Sequence, residues 1–218
     1  MKHALCAVLL FALPAVATIS QRQSPVSQWN SSPQSSCYGT SGSGYHSGDL
    51  IVVWTYWSTG SSSNSLTASV TDHNNPNSSW ISAVGPTLQL ASNAAAQIFY
   101  VASTAGSGSD LVTVAYSGSA TTSGCVFVEY EGADPNYPLD SVSAGYSYSV
   151  GTLLDSGTAA PANASLLVFG GGTSDTGLAN AGTGFTAIQS NGRVAPFKPH
   201  FGLSGALPRR KLNSCLGD

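Results

Sequence analysis

Apolar residues in this chain do not fall at the three- and four-residue spacing of an amphipathic helix. They come in short runs of β-branched and aromatic residues, divided by glycine, serine and asparagine. That pattern points to a β-sheet protein. The run Asp49–Trp57 (DLIVVWTYW) reads as a strand buried on at least part of both faces. In Leu66–Thr71, Leu66, Ala68 and Val70 alternate with Thr67, Ser69 and Thr71, as in a half-buried strand. Gln97–Val101, Leu111–Tyr116 and Cys125–Tyr130 read as three more. Further strands are expected within Leu139–Val150, in Ser165–Phe169 ended by Gly170-Gly171-Gly172, and near Phe185–Gln189. Short strands at regular spacing predict an all-β fold, an antiparallel β-sandwich of immunoglobulin-like or jelly-roll kind. A closed barrel is the alternative.

The chain divides by composition. Residues 1–17 combine Met1, Lys2 and His3 with an apolar run from Ala4 to Val16 and a small-x-small site at Ala15-Val16-Ala17, which reads as a secretory signal peptide. Residues 18–48 are polar and rich in Ser, Gly and Pro, and read as an extended lead-in. Residues 49–192 are the expected sandwich domain. Residues 193–218 carry three prolines and five basic residues, show no alternating run, and read as a poorly ordered tail. A sandwich normally needs a closing strand there, and without one a sheet edge stays open.

Charge narrows the function. Only 7 basic and 10 acidic residues occur in 218, and none of the basic ones lies between Gln23 and Gly192. That segment holds nine acids, so its formal charge is −9. A body without cations cannot neutralise phosphates, which excludes nucleic-acid binding. A coiled coil, with its charged flanks, is excluded as well. Past the N-terminal run no apolar stretch is long enough to span a membrane.

Export places the cysteines in an oxidising compartment. Cys6 leaves with the leader, and Cys37, Cys125 and Cys215 remain. Three pairings are open. Cys37 with Cys125 is favoured because Cys215 lies in the atypical tail, and no disulfide at all is the other reading. Sequons stand at Asn30, Asn77 and Asn163, as expected by chance in a chain with 36 serines.

Five segments in combination, GDLIVVWTYW, SVTD, QIFYVA, FVEYEGADPNYPLD and LLVFGGGTSDTG, resemble secreted bacterial β-sandwich domains described as immunoglobulin-like or jelly-roll. The resemblance runs from about Gly48 to Gln189. It implies the sandwich fold and a secreted location, and it carries no catalytic residues.

Glu129 and Glu131 are the sharpest chemical pair. Two apart on a strand, they share a face about 6.6 Å apart along the chain, with Val126, Val128 and Tyr130 turned to the core. Such a separation suits the acid and base of an inverting glycosidase, and Asp134 and Asp140 in the next loop are available to join them. A solvated strand face is the plainer reading. Gly145-Tyr146-Ser147-Tyr148-Ser149 approaches a nucleophile elbow, without its last glycine or following helix. Asp72, His73, Asn74, Asn75 and Asn77 cluster in one turn, where the carboxylate and amide oxygens are ligands of the kind calcium takes, although Asp and Asn also favour turns on their own account. No other cofactor is implied. Trp54, Tyr56, Trp57, Tyr146 and Tyr148 are the candidate ligand-binding rings, since flat aromatic surfaces stack on sugars, with core packing as their alternative use. The expected function is therefore a secreted, non-catalytic module that binds a neutral carbohydrate or other extracellular polymer, or serves as an adhesive or structural domain. A secreted glycoside hydrolase using the paired carboxylates is the rival.

Overall fold

The apolar run at Leu50 becomes the strand around which the molecule is built. The computed structural model describes residues 18–60, 65–75, 79–89, 93–102, 104–106, 110–144, 167–173, 185–188 and 194–199. They form twelve strands: β1 (Ser20–Gln21), β2 (Val26–Asn30), β3 (Gln34–Thr40), β4 (Leu50–Ser58), β5 (Ala68–Thr71), β6 (Ile81–Gln89), β7 (Ala94–Val101), β8 (Leu111–Ala120), β9 (Thr122–Glu131), β10 (Gly170–Thr173), β11 (Phe185–Ala187) and β12 (Val194–Pro199). The principal sheet runs β1-β9-β4-β7-β6, with β2 also paired to β9. A second sheet runs β3-β8-β5 and a third β10-β12-β11. All of these pairings are antiparallel. The chain is an all-β antiparallel sandwich, and its sheets do not close into a barrel.

Because side chains alternate along a strand, β4 feeds two cores. Ile51, Val53 and Trp57 face the second sheet and meet Val70 of β5, Val112, Val114 and Tyr116 of β8, and Phe127 of β9. Ile51, Val53 and Phe127 are fully buried, each contributing about 1.5–3 kcal/mol of apolar burial. Leu50, Val52 and Trp54 face the opposite way, with Tyr100, Val126, Val128 and Tyr130. Ile19, Trp29, Leu167 and Phe169 pack onto this second core. The disulfide joins Cys37 on β3 to Cys125 on β9, so it ties one sheet to the other. It lies in the same core as Trp57, whose ring centroid is 5.7 Å from that of Tyr116.

Two glycines are required for close approach. A Cβ at Gly124 would overlap the six-membered ring of Trp29, and one at Gly171 would overlap the indole of Trp54. The second contact explains a shift in the expected elements. The strand expected to end at the glycine run instead begins there, as β10, while Leu167–Phe169 precede it without strand structure.

Other expectations also change. The polar stretch 18–48 contains β1, β2 and β3 rather than serving only as a lead-in. Its strands hide because the inward positions of β3 are filled by Cys37 and Gly39, which give no hydrophobic alternation. β6 was not expected, for it carries Gly85-Pro86. It is an edge strand with register shifts around that pair, a place where proline costs no ladder hydrogen bond. In the basic tail, Val194–Pro199 forms β12 and pairs with both β10 and β11. Its pairing supplies what its sequence pattern does not advertise. Leu139–Ala144 carries no strand, and residues 145–150 lie outside the described residues.

Candidate functional site

The expected carboxylate pair leads to one end of the inter-sheet core. Cys125, Phe127 and Glu129 alternate along β9 on the face turned to the second sheet, so Glu129 follows Phe127 inward. Its side chain has no exposed surface, which corrects the expectation of a solvated face. Val126, Val128 and Tyr130 do point to a core, but it is the other one. Glu131 lies a step further, at the sheet end, with its side chain 42% exposed.

A buried carboxylate needs donors, and the N-terminal segment supplies them. The backbone N–H of His46 and the side-chain amide of Gln23 donate to Glu129, and His46 Nδ1 lies 3.2 Å from Glu129 Oε1. Gln23 also donates to the carbonyl of Gly44 at 2.9 Å and accepts from the Ser41 hydroxyl. Arg22 stands beside them. Its Nε donates to Asp49 Oδ2 at 2.5 Å, and its Nη2 reaches Asp49 Oδ1 at 3.3 Å and Glu131 Oε2 at 3.0 Å. Ser20 Oγ donates to Glu131 Oε1 at 2.6 Å. None of Arg22, Gln23, His46 and Asp49 was expected here. One signal was available: Arg22 is the lone cation between Lys2 and Arg193, and in a strongly acidic segment it is the natural ion-pair partner.

Ligand atoms of His46, Asp49 and Glu129 lie within 4.8 Å of one another. The surrounding groups are nevertheless donors. Arg22 faces both oxygens of Asp49, and an amide and a backbone N–H face Glu129. A metal ion would have to displace them. Nor do the two glutamates flank a bond as an acid and base must. One is sealed in the interior and the other is ion-paired.

The Asp72 turn is likewise a clasp. Asp72 Oδ1 accepts from the backbone N–H of Asn74 at 2.8 Å and from that of Asn75, and Oδ2 accepts from Trp80 Nε1 at 2.8 Å and Asn75 Nδ2 at 3.0 Å. Asn75 Oδ1 accepts from the backbone N–H of Ala105 at 2.8 Å. These oxygens, read as possible calcium ligands, serve the N–H groups of their own loops. The Asn74 side chain hydrogen-bonds Asp110, and Asn77 lies outside the described residues.

Asp110 is fully buried, accepts from the backbone N–H of His73 at 3.2 Å, and has no hydrogen-bond partner for Oδ2 among the described residues. Burial pushes its carboxyl above the ordinary value of 3.8, against the opposing hydrogen bond from Asn74. The folded state then holds this proton more tightly than the unfolded chain. Stability is highest below pH 3.8 as far as this group is concerned, and falls as pH rises through the raised folded value. Asp110→Asn flattens that fall, as urea unfolding at a series of pH values from about 3 to 7 will show.

Of the candidate rings, Trp54 and Trp57 are 1% and 0% exposed and fill the two cores. Buried this way, they have no face to offer a sugar. Tyr56 is half-buried at the margin of the Trp54 core. Tyr146, Tyr148 and Ser147 lie outside the described residues. Asp134 is exposed and accepts from the backbone N–H groups of Asn136 and Tyr137 at 2.8 and 3.2 Å, which makes it a turn residue. Comparison with protein-family models, with curated proteins and with solved structures finds no match.

Proposed function

We propose that the chain is an exported, non-catalytic sandwich module that engages a neutral extracellular polymer, with carbohydrate as the ligand class. The observation that carries the non-catalytic reading is the interior position of Glu129, whose carboxylate is held by Gln23 and His46 and has no surface for a substrate. Charge supports a neutral ligand. The segment from Gln23 to Gly192 has no cation to recognise an anionic one. Export is supported by the leader-like residues 1–17 and by the inter-sheet disulfide, which fits an oxidising compartment.

Pull-down of the purified, oxidised chain on insoluble cellulose, chitin, xylan and starch tests the reading. Retention on one of them, lost on competition with its soluble oligosaccharide, is the expected result. Failure to bind all four, with the chain folded and monodisperse, overturns the carbohydrate assignment. Release of reducing ends from any of them overturns the non-catalytic one.

A further inference from the structure

The register of the principal sheet brings a sixth aromatic residue, not among the five candidates read from the sequence, into line with Tyr56. Trp29 of β2 lies opposite Gly124 of β9, Gly124 opposite Tyr56 of β4, and Tyr56 opposite Ala96 of β7. Ala96 in turn faces Thr87 of β6. The row Trp29, Gly124, Tyr56, Ala96, Thr87 therefore crosses five strands on one face of the sheet. Trp29 and Tyr56 are both half-buried. The interior part of this face lies over Trp54, where Gly171 of β10 passes close by. The row sits next to it, toward the end of the sheet.

We infer that Trp29 and Tyr56 form an aromatic platform that binds a sugar ring of a neutral polysaccharide chain. This rests on the carbohydrate reading above and names its site. The first argument is spacing. β2 and β4 are separated by β9 alone, and the Trp29 ring lies over Gly124 of β9, 6.0 Å from the ring of Trp54. It therefore stands one strand spacing, about 4.8 Å, from the position of Tyr56, and the two rings are neighbours on this face. Small residues make the second argument. Gly124 lies under the Trp29 ring, and Ala96 and Thr87 lie beyond Tyr56, so within this row no bulky side chain stands on the far side of Tyr56. Third is chemistry. Neither this row nor its neighbours Thr122, Ser58 and Ala94 contains a charged residue, and the rim offers hydroxyls. Apolar ring faces with hydroxyl hydrogen-bonding partners match an uncharged pyranose, whose faces are apolar and whose edge is polar. An anionic polymer or a basic peptide finds no opposite charge there.

Tyr56→Ser is the first test, because its half-buried ring can be removed at less cost to the core than Trp29. Trp29→Leu is the second, with Tyr137→Ser, an 83% exposed ring elsewhere, as the control. Binding is read by titrating the soluble oligosaccharide of whichever polymer retains the parent chain, using tryptophan fluorescence and pull-down, with near-UV circular dichroism to confirm folding. The expected result is at least a tenfold loss of affinity for Tyr56→Ser and for Trp29→Leu and none for Tyr137→Ser. Should Trp29→Leu fail to fold, Tyr56→Ser alone decides. Parent-like binding by a folded Tyr56→Ser overturns the platform while the carbohydrate reading stands. Failure of the parent chain to bind any polymer overturns both.

Discussion

Replacing Cys37 and Cys125 together by alanine lowers the unfolding free energy by about 4–5 kcal/mol, the loop-closure value for a bridge of this length. The two cysteines are 88 residues apart in sequence, so the oxidised unfolded chain is strongly constrained and the variant's is not. Their sulfurs also sit among fully buried residues, and truncation leaves space there that the core only partly refills. A domain of this size has total stability of the order of 5–15 kcal/mol, so the double variant is expected to be at the margin of folding. Urea titration of parent and variant at neutral pH, with the parent repeated under reducing conditions, checks this. A shift below about 1 kcal/mol would mean that the sheets hold together without the bridge.

Glu129→Ala is expected to cost about 3 kcal/mol, because it strands the His46 N–H and the Gln23 amide without an acceptor in the interior. Glu129→Gln keeps one oxygen for those donors and is expected to cost roughly 1 kcal/mol. The ordering matters more than either figure. If Glu129 holds the N-terminal segment and the loop around His46 against β9, alanine is much the worse substitution, and hydrogen exchange rises first in residues 20–23 and 41–49. If the two variants are equally stable, the donors have found other partners and the carboxylate is not what organises this end of the molecule.

Strands that place large apolar residues on one or both faces were legible in the sequence. β4, β5, β7, β8 and β9 all stand where their β-branched and aromatic residues suggested. Strands whose inward face is small or sulfurous were not. β3 turns Cys37 and Gly39 inward, and a pattern built from apolar bulk passes over both. β10 has glycine at position 171 because Trp54 occupies the space a side chain would need there. That is a demand of tertiary packing, invisible within the segment itself. The site divides in the same way. Glu129 stood out as a carboxylate on an apolar strand, but its burial depends on a loop some eighty residues earlier closing over it. For Trp29 the difficulty was register. Only the pairing of β2 with β9, and of β9 with β4, sets it beside Tyr56.

The placement of β1 and β2 has a bearing on the order of folding. Ser20 meets Glu131, 111 residues later, and Val26 meets Phe127. The earliest-made strands thus have no partner until β9 has been synthesised, and β4, which meets β7 earlier, gains its second neighbour only then. Such a fold has high contact order, and chains of this kind fold slowly because distant segments must meet before any gain is realised. During synthesis β1 and β2 therefore stay unpaired until β9 emerges, with Cys37 waiting for a thiol that has not yet been made.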